Sequence, residues 1–550
     1  MYKPKLLSLL GDKENGLTKE QFLKDFVSGI IVAIIALPLS IALGISSGVS
    51  PEKGLITAII AGFIISLLGG SRVQIGGPTG AFVVIVFGII QDHGIDGLII
   101  ATFMAGIILI LFGILKFGSL IKYIPYPITV GFTSGIAVTL FSTQVKDFLG
   151  LTMTKVPSKF LPKWEAYIAH MNTTNYYTLG IGILALAILI FWPKVSKKIP
   201  GSLIALIITT LIVFFFKLPV ATIGSQFGKI SSELPMPHIP ALNIGTFKAL
   251  IGPAFTIALL GGIESLLSAV VSDGMIGDKH NSNAELIAQG FANIGSSLFG
   301  GIPATGAIAR TAANVKNGGR TPIAGMIHSI TLLLIMVIFM PLAKFIPLTT
   351  LAAILMIVSY NMSEWRSFKA ILKAPKSDIA ILLTTFFLTV FFDLVIAIGV
   401  GMLVSMCLFM RRVATSIEVN ELNEADCSDR IDGDMNNVKV GENVLVYDIR
   451  GHLFFGAVDS FMNTMKEVNR DASVLILRMR HTKTLDVTGF KQIKNIALSC
   501  KTHNITLIIS EVQKQPKKVM RLMGFINKLG ENQFADSFNE AIEKANSLVK

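Results

Sequence analysis

Between Phe26 and Met410 the chain returns repeatedly to apolar runs of about 20 residues, separated by short stretches of lysine, arginine, glycine and proline. Runs of that length cross the hydrocarbon core of a bilayer as helices, because a helix satisfies its own backbone hydrogen bonds in lipid. Charge agrees. Only 15% of the 550 residues are Asp, Glu, Lys or Arg, against about 25% in a soluble protein, and the mean hydropathy is +0.66. The expected fold class is therefore a polytopic α-helical membrane protein, and the 49 glycines suit close helix packing in lipid. The first 24 residues are polar and lysine-bearing. No short apolar segment ends in a cleavage site, so the first span is expected to act as its own insertion signal.

The apolar pattern places spans at 26–48, 51–70, 77–91, 97–117, 123–145, 178–193, 199–217, 250–272, 283–299, 304–315, 322–342, 347–361, 376–392 and 394–410, about fourteen in all. An even number puts both termini on one side. Lys3, Lys5, Lys13, Lys19 and Lys24 precede the first span and Arg411 and Arg412 follow the last. Lys116, Lys122, Lys194, Lys197, Lys198, Lys316, Arg320, Arg366, Lys369, Lys373 and Lys376 fall on the same side. Basic residues mark the cytoplasmic face, so both termini are expected there, in the cell (inner) membrane. This placement also absorbs the net charge of +13 without a nucleic-acid partner. Cys407, Cys427 and Cys500 show no metal spacing and imply no disulfide framework.

Two expected spans, the third and the tenth, are short and open on related motifs: "GGPTGAF" at 76–82 and "GGIPATGAIARTAAN" at 300–314. Seven spans precede residue 220 and seven follow residue 250. An odd number per half inserts the halves in opposite senses, an inverted repeat, and sets the motifs facing each other near the midplane. A helix N-terminus leaves N–H groups unpaired and carries about half a positive charge, so two such ends form an anion site without a charged side chain. Pro78 and Pro303 start a helix without losing a donor. Gly80 and Gly306 allow close backbone approach, and Thr79 and Thr305 add hydroxyls. Arg310 lies inside the tenth span, where an unpaired charge costs at least about 2.5 kcal/mol, and its guanidinium is placed to attract the anion. The alternative is a static ion pair. Glu264 lies mid-span in the eighth helix with Ser268 one turn on, a candidate site for a coupling H⁺ or Na⁺, or else a structural partner of Arg310. His328 reads as a packing residue and Asp393 as a span-end residue without a role. Without a metal cluster, P-loop or nucleophile elbow, neither an enzyme nor a cofactor is expected.

After Arg412 the composition changes. Residues 413–442 are polar and acidic, an expected linker, and 443–550 read as a small cytoplasmic α/β domain. Its expected strands are 443–449, 473–479 and 504–510, with helical patterns in "AVDSFMNTMKEV" and "TGFKQIKNIALSCK".

These features resemble the SulP family of anion transporters. The resemblance rests on Asp25 with Ser28-Gly29, Leu37-Pro38, "GGPTGAF", Glu264, "ATGAIARTAAN" and the C-terminal module, which is similar to a STAS domain. It implies a seven-plus-seven inverted repeat. A core (about 25–117 and 250–342) would move, elevator-like, against a gate (about 123–217 and 347–412). It also implies an anion held by backbone groups around Thr79, Gly80, Ala81, Ile308 and Ala309 in the field of Arg310. Glu264 stands at the family's acidic coupling position and favours a proton. Leu39 replaces a glutamine and Ala309 a serine common in the family, so two side-chain donors are lost. Both departures, with "YNMSEW" and "FMRR", resemble the bacterial C4-dicarboxylate subgroup. The expected function is secondary active transport of sulfate or a C4-dicarboxylate, probed against bicarbonate or chloride transport, sodium-coupled or channel-like action, and a nucleobase carrier. Expected partners are the anion, the lipid bilayer, a second copy of the chain and a cytoplasmic protein at the STAS-like domain. There, in "LDVTGF" at 485–490, Val487 replaces the serine that regulatory relatives phosphorylate, and Thr488 is a weak substitute.

Overall fold

The computed structural model describes residues 3–10, 18–153, 156–196, 199–228, 230–238, 244–392, 394–415, 417–422, 441, 443–455 and 472–549. Asp393, Cys427, the expected helix in "AVDSFMNTMKEV" and most of the expected linker lie outside them. The chain divides into two compact units, residues 1–402 and 403–550.

The first unit is helical apart from one short pairing. It runs α1 (Lys5–Leu10), α2 (Lys19–Ser46), α3 (Pro51–Leu68), β1 (Gly76–Gly77), α4 (Gly80–Ile114), α5 (Tyr126–Leu149), α6 (Phe160–Ala169), α7 (Tyr176–Val195), α8 (Gly201–Phe215) and α9 (Ile223–Phe227). It continues with α10 (Ile244–Ile276), α11 (Ser282–Leu298), β2 (Thr305–Gly306), α12 (Ile308–Lys316), α13 (Pro322–Phe339), α14 (Leu348–Met362), α15 (Trp365–Ile371), α16 (Lys376–Phe391) and the first part of α17 (Leu394–Ala414), whose residues after Met402 belong to the second unit. Every expected span falls on one of these helices. The third and fourth share α4, which breaks at Gly94, where φ is 71° and ψ is −176°, a conformation glycine adopts without strain. Among the described residues, eight helices are long and apolar enough to cross a bilayer unaided. The helix α6 lies in a segment expected to be a loop.

Two groups of helices emerge from the packing. α13 lies on α2 and α3, and α4 lies on α10 and α11. α5 packs on α14 and α16, and α14 in turn on α7. Small residues make these crossings possible: a Cβ at Gly106 would lie 2.6 Å from the Gly290 carbonyl oxygen, and one at Gly290 2.5 Å from that of Gly106. Asp25, fully buried in α2, fastens the turn before α13. It accepts hydrogen bonds from Arg320 N (2.8 Å), Thr321 N (3.3 Å) and Thr321 Oγ1 (2.6 Å). Ser28 donates to Asn314 Oδ1 at 2.7 Å, tying α2 to the end of α12.

The second unit is built on a five-stranded sheet ordered β3 (Glu418–Glu421), β4 (Val444–Leu453), β5 (Val474–Leu485), β6 (Thr506–Ser510) and β7 (Phe534–Ala535). β3 runs antiparallel to β4, and the remaining pairs are parallel. Apolar clusters cover both faces, as a mostly parallel sheet requires. The three expected strands are present. The expected linker is corrected: α17 runs into it as far as Ala414, and Glu418–Glu421 adds an edge strand. Asp486 caps the helix Val487–Thr502 by accepting from Gly489 N at 2.7 Å, leaving Val487 and Thr488 exposed.

Candidate functional site

The repeated motif folds into a ribbon. Gly76 pairs with Gly306 and Gly77 with Thr305, antiparallel, and Ala307 N–H donates to the Ile75 carbonyl at 2.9 Å. A side chain would be crowded here: a Cβ at Gly306 would lie 1.8 Å from Gln74 Nε2, and one at Gly76 would lie 2.1 Å from Ile65 Cδ1. From the two ends of the ribbon the chain enters α4 at Gly80 and α12 at Ile308. Neither N-cap residue, Thr79 or Ala307, caps its own helix with a side chain.

The candidate residues distribute around this junction. Thr79 is half-buried, Gly80 and Ala81 are buried, and Ile308 and Ala309 are exposed. A Cβ at Gly80 would lie 2.8 Å from Leu140 of α5 and 3.1 Å from Met362 of α14, so the second helix group abuts this half-helix. Leu39 packs against the apolar cluster containing Val83, Leu140 and Leu355 and contributes wall rather than polar contact.

Arg310 is 1% exposed. Its Nη2 donates to the Pro78 carbonyl at 3.0 Å, and its Nε and Nη1 have no hydrogen-bond partner among the described residues. Among those residues none of its nitrogens meets a carboxylate, so Arg310 and Glu264 do not form an ion pair here. Glu264 instead accepts from Thr79 Oγ1 at 2.8 Å. α10 thus touches the N-cap of the first half-helix through Glu264 and the strand leading into the second through its neighbour. Ser265 Oγ lies 2.7 Å from Thr305 Oγ1 and accepts from Gly306 N at 3.0 Å. The hydroxyl proton of Thr305 goes to the Gly261 carbonyl at 2.8 Å, so Ser265 is the donor to Thr305.

Ser268, the other residue expected at the ion site, faces the ribbon. Ser268 is fully buried and donates to Thr311 Oγ1 at 3.3 Å, and Thr311 also accepts from Ile75 N at 3.1 Å. Its side chain thus bonds toward the ribbon, and among the described residues no hydrogen bond joins it to Glu264. Sequence reasoning also missed Asn293. Its side chain brackets Ala304, accepting from Ala304 N and donating to Ala304 O at 2.9 Å each, and so fixes the approach to β2. An amide side chain in an apolar helix was the only available signal.

Two discontinuous helices meeting head to head through paired backbone, with a buried arginine beside them, define a helical membrane transporter. Residues 22–385 match the sulfate permease family and residues 436–541 the STAS domain. The chain belongs to the sulfate permease family. It is 43% identical to the putative sulfate transporter YvdB of Bacillus subtilis, over 96% of this chain and 98% of that protein. It is 30% identical to the bicarbonate transporter BicA of Picosynechococcus sp., over 86% and 85% respectively. Among solved structures, the transmembrane domain of a cyanobacterial BicA aligns with a TM-score of 0.63 at 31% identity, covering 70% of this chain and 99% of that one. SLC26A9 aligns with a TM-score of 0.87 at 17% identity, covering 99% and 92%, which shows the shared fold.

Proposed function

We propose that the chain is a secondary active transporter of a small oxyanion, bound between the N-termini of α4 and α12. The observation that carries this reading is the β1–β2 pairing, which brings two uncapped helix ends together beside Arg310 with two of its nitrogens free of partners. Sulfate and bicarbonate lead as substrates. The names of the relatives favour them, and the close approach of Leu140 and Met362 to Gly80 favours a compact anion over an extended C4-dicarboxylate.

The two packed groups support an elevator reading. In an inverted seven-plus-seven arrangement, α2–α4 with α10–α13 form a core that carries the site. It slides, elevator-like, against the gate of α5, α7, α8, α14, α16 and α17. Glu264 couples this movement to a proton. As a carboxylate it accepts the Thr79 hydroxyl and repels a nearby anion; protonated, it releases both constraints, so anion and proton load together. Both termini are cytoplasmic, the protein works in the cell membrane as a dimer of identical chains, and the STAS domain is its regulatory contact.

Purified protein in liposomes should accumulate labelled sulfate or bicarbonate under an inward proton gradient, with succinate competing weakly. Absence of uptake of all three under either a proton or a sodium gradient would overturn the proposal.

A further inference from the structure

The first unit carries a pocket of about 480 Å³ that the anion junction of α4 and α12 does not use. Three segments distant in sequence build it: Lys3, Lys5 and Ser8 at the start of the chain, Ser119 in the turn Phe117–Tyr123, and Lys279 and His280 between α10 and α11. Hydrogen bonds hold these segments together. Lys5 N–H donates to the Gly69 carbonyl at 3.0 Å and Asn281 N–H to the Gly70 carbonyl at 2.9 Å, so both rest on one loop. Gly118 N–H donates to Asn283 Oδ1 at 3.0 Å, which fastens the turn to α11.

The pocket is basic. Among the described residues no acidic side chain lines it, and the acids beside it are already engaged. Asp278 Oδ2 is shared between Lys5 Nζ at 2.9 Å and Arg72 Nε at 3.0 Å. Asp273 Oδ2 accepts from His280 N at 2.9 Å and lies 2.7 Å from its Nδ1. Glu285 is fully buried and accepts from Gly70 N and Ser71 N. Lys3 and Lys279 are exposed and, among the described residues, form no ion pair. Two lysines therefore line the cavity without a counter-charge.

A second feature narrows the kind of anion. Exposed apolar side chains flank the lining residues: Leu7 beside Ser8 on α1, and Ile114, Leu115 and Phe117 on the approach to Ser119. The helix α1 itself, KLLSLL, packs on α3 and α13. A free inorganic anion gains nothing from an apolar rim. A phospholipid lays its acyl chains against such a rim and sets its phosphate among the lysines.

We propose that this pocket binds the phosphate of an anionic phospholipid headgroup from the cytoplasmic leaflet, with Lys3 and Lys279 as its charged contacts. The proposal goes beyond the transport reading and does not rest on it.

The test uses the full-length protein in neutral detergent, with phosphatidylglycerol as the probe and the melting temperature as the readout. Phosphatidylglycerol should raise Tm saturably, by about 2 °C or more beyond phosphatidylcholine, which has a phosphate but no net charge. Lys3→Gln with Lys279→Gln should weaken its apparent affinity at least about tenfold. Lys369→Gln with Lys373→Gln removes two exposed lysines outside the pocket and should leave the affinity within about twofold. Equal shifts from the two lipids, or equal affinities in the two double variants, would overturn the proposal. Inorganic phosphate that gives the same shift at the same concentration would overturn the lipid assignment. Native mass spectrometry reads the site without melting: wild type should retain a phosphatidylglycerol that the Lys3/Lys279 variant loses, and retention by both would overturn the proposal.

Discussion

Thr79 Oγ1 donates to Glu264 Oε2 across 2.8 Å, joining the N-cap of one half-helix to the middle of α10. A hydroxyl has one proton to give. While Glu264 is ionised that proton points at the carboxylate; once Glu264 is protonated it can donate instead, and Thr79 can turn to the anion.

Glu264→Gln tests this link because it keeps the shape and an acceptor but cannot titrate. In the wild type, a one-unit pH gradient supports up to about tenfold accumulation for one-proton symport. The variant should bind and equilibrate labelled anion while accumulation falls to none. Gradient-driven accumulation that survives in the variant places the coupling group elsewhere.

Among the described residues Arg310 makes one hydrogen bond, to the Pro78 carbonyl, which leaves its charge to act on a ligand. Arg310→Ala should raise the KM for the transported anion at least about tenfold, near 1.4 kcal/mol, with a folded, monodisperse protein. Arg310→Lys should fall between the two, because a point charge lacks the planar fork. Uptake kinetics on the three proteins decide it; an unchanged KM in Arg310→Ala makes the arginine structural.

The fold was legible because its determinants are local. Span length and hydropathy placed all the main helices of the first unit, and the echo of 76–82 in 300–314 anticipated the contact between them. What stayed hidden depends on the angle at which elements cross. The helical period puts Ser268 on the face of Glu264, yet the ribbon approaches α10 so that Ser265 meets Thr305 and Gly306 while Ser268 meets Thr311. Arg310 stood out as a charge in an apolar span, but nothing local gave its contact with Pro78, more than 200 residues away. Glu418–Glu421 escaped because a four-residue edge strand in an acidic stretch carries no apolar run.

The ribbon itself makes a stability prediction. A Cβ at Gly306 would lie 1.8 Å from the buried Gln74 amide, whereas one at Gly88 of α4 would have nothing within 4 Å. Gly306→Ala should therefore cost about 1–3 kcal/mol by overpacking and reduce transport with it. Gly88→Ala should lie within about 0.5 kcal/mol of the wild type. Thermal unfolding of both in detergent checks the contrast, and equal stabilities would show that Gln74 moves aside freely.

Lys163 offers a pH-dependent test outside the spans. It sits on α6, 3% exposed, on the same helix face as the buried Tyr167, which joins an apolar cluster with Val145 and Leu151. Burial pushes its ammonium group down to about 8 from the usual 10.5. In the unfolded chain the amine regains its ordinary affinity, so between these two values the unfolded state binds more protons than the folded one. Stability then rises with pH across that window, and the full penalty of burying the charge is present below it. Lys163→Met removes the penalty. It should raise the melting temperature at pH 7, by the equivalent of about 1–3 kcal/mol. The gain should shrink as pH climbs and vanish near pH 10.5. Melting curves of both proteins at pH 7, 8.5 and 10 measure it. A gain that does not change with pH would mean that the methionine helps by packing alone, and no gain at pH 7 would mean that the ammonium is already satisfied.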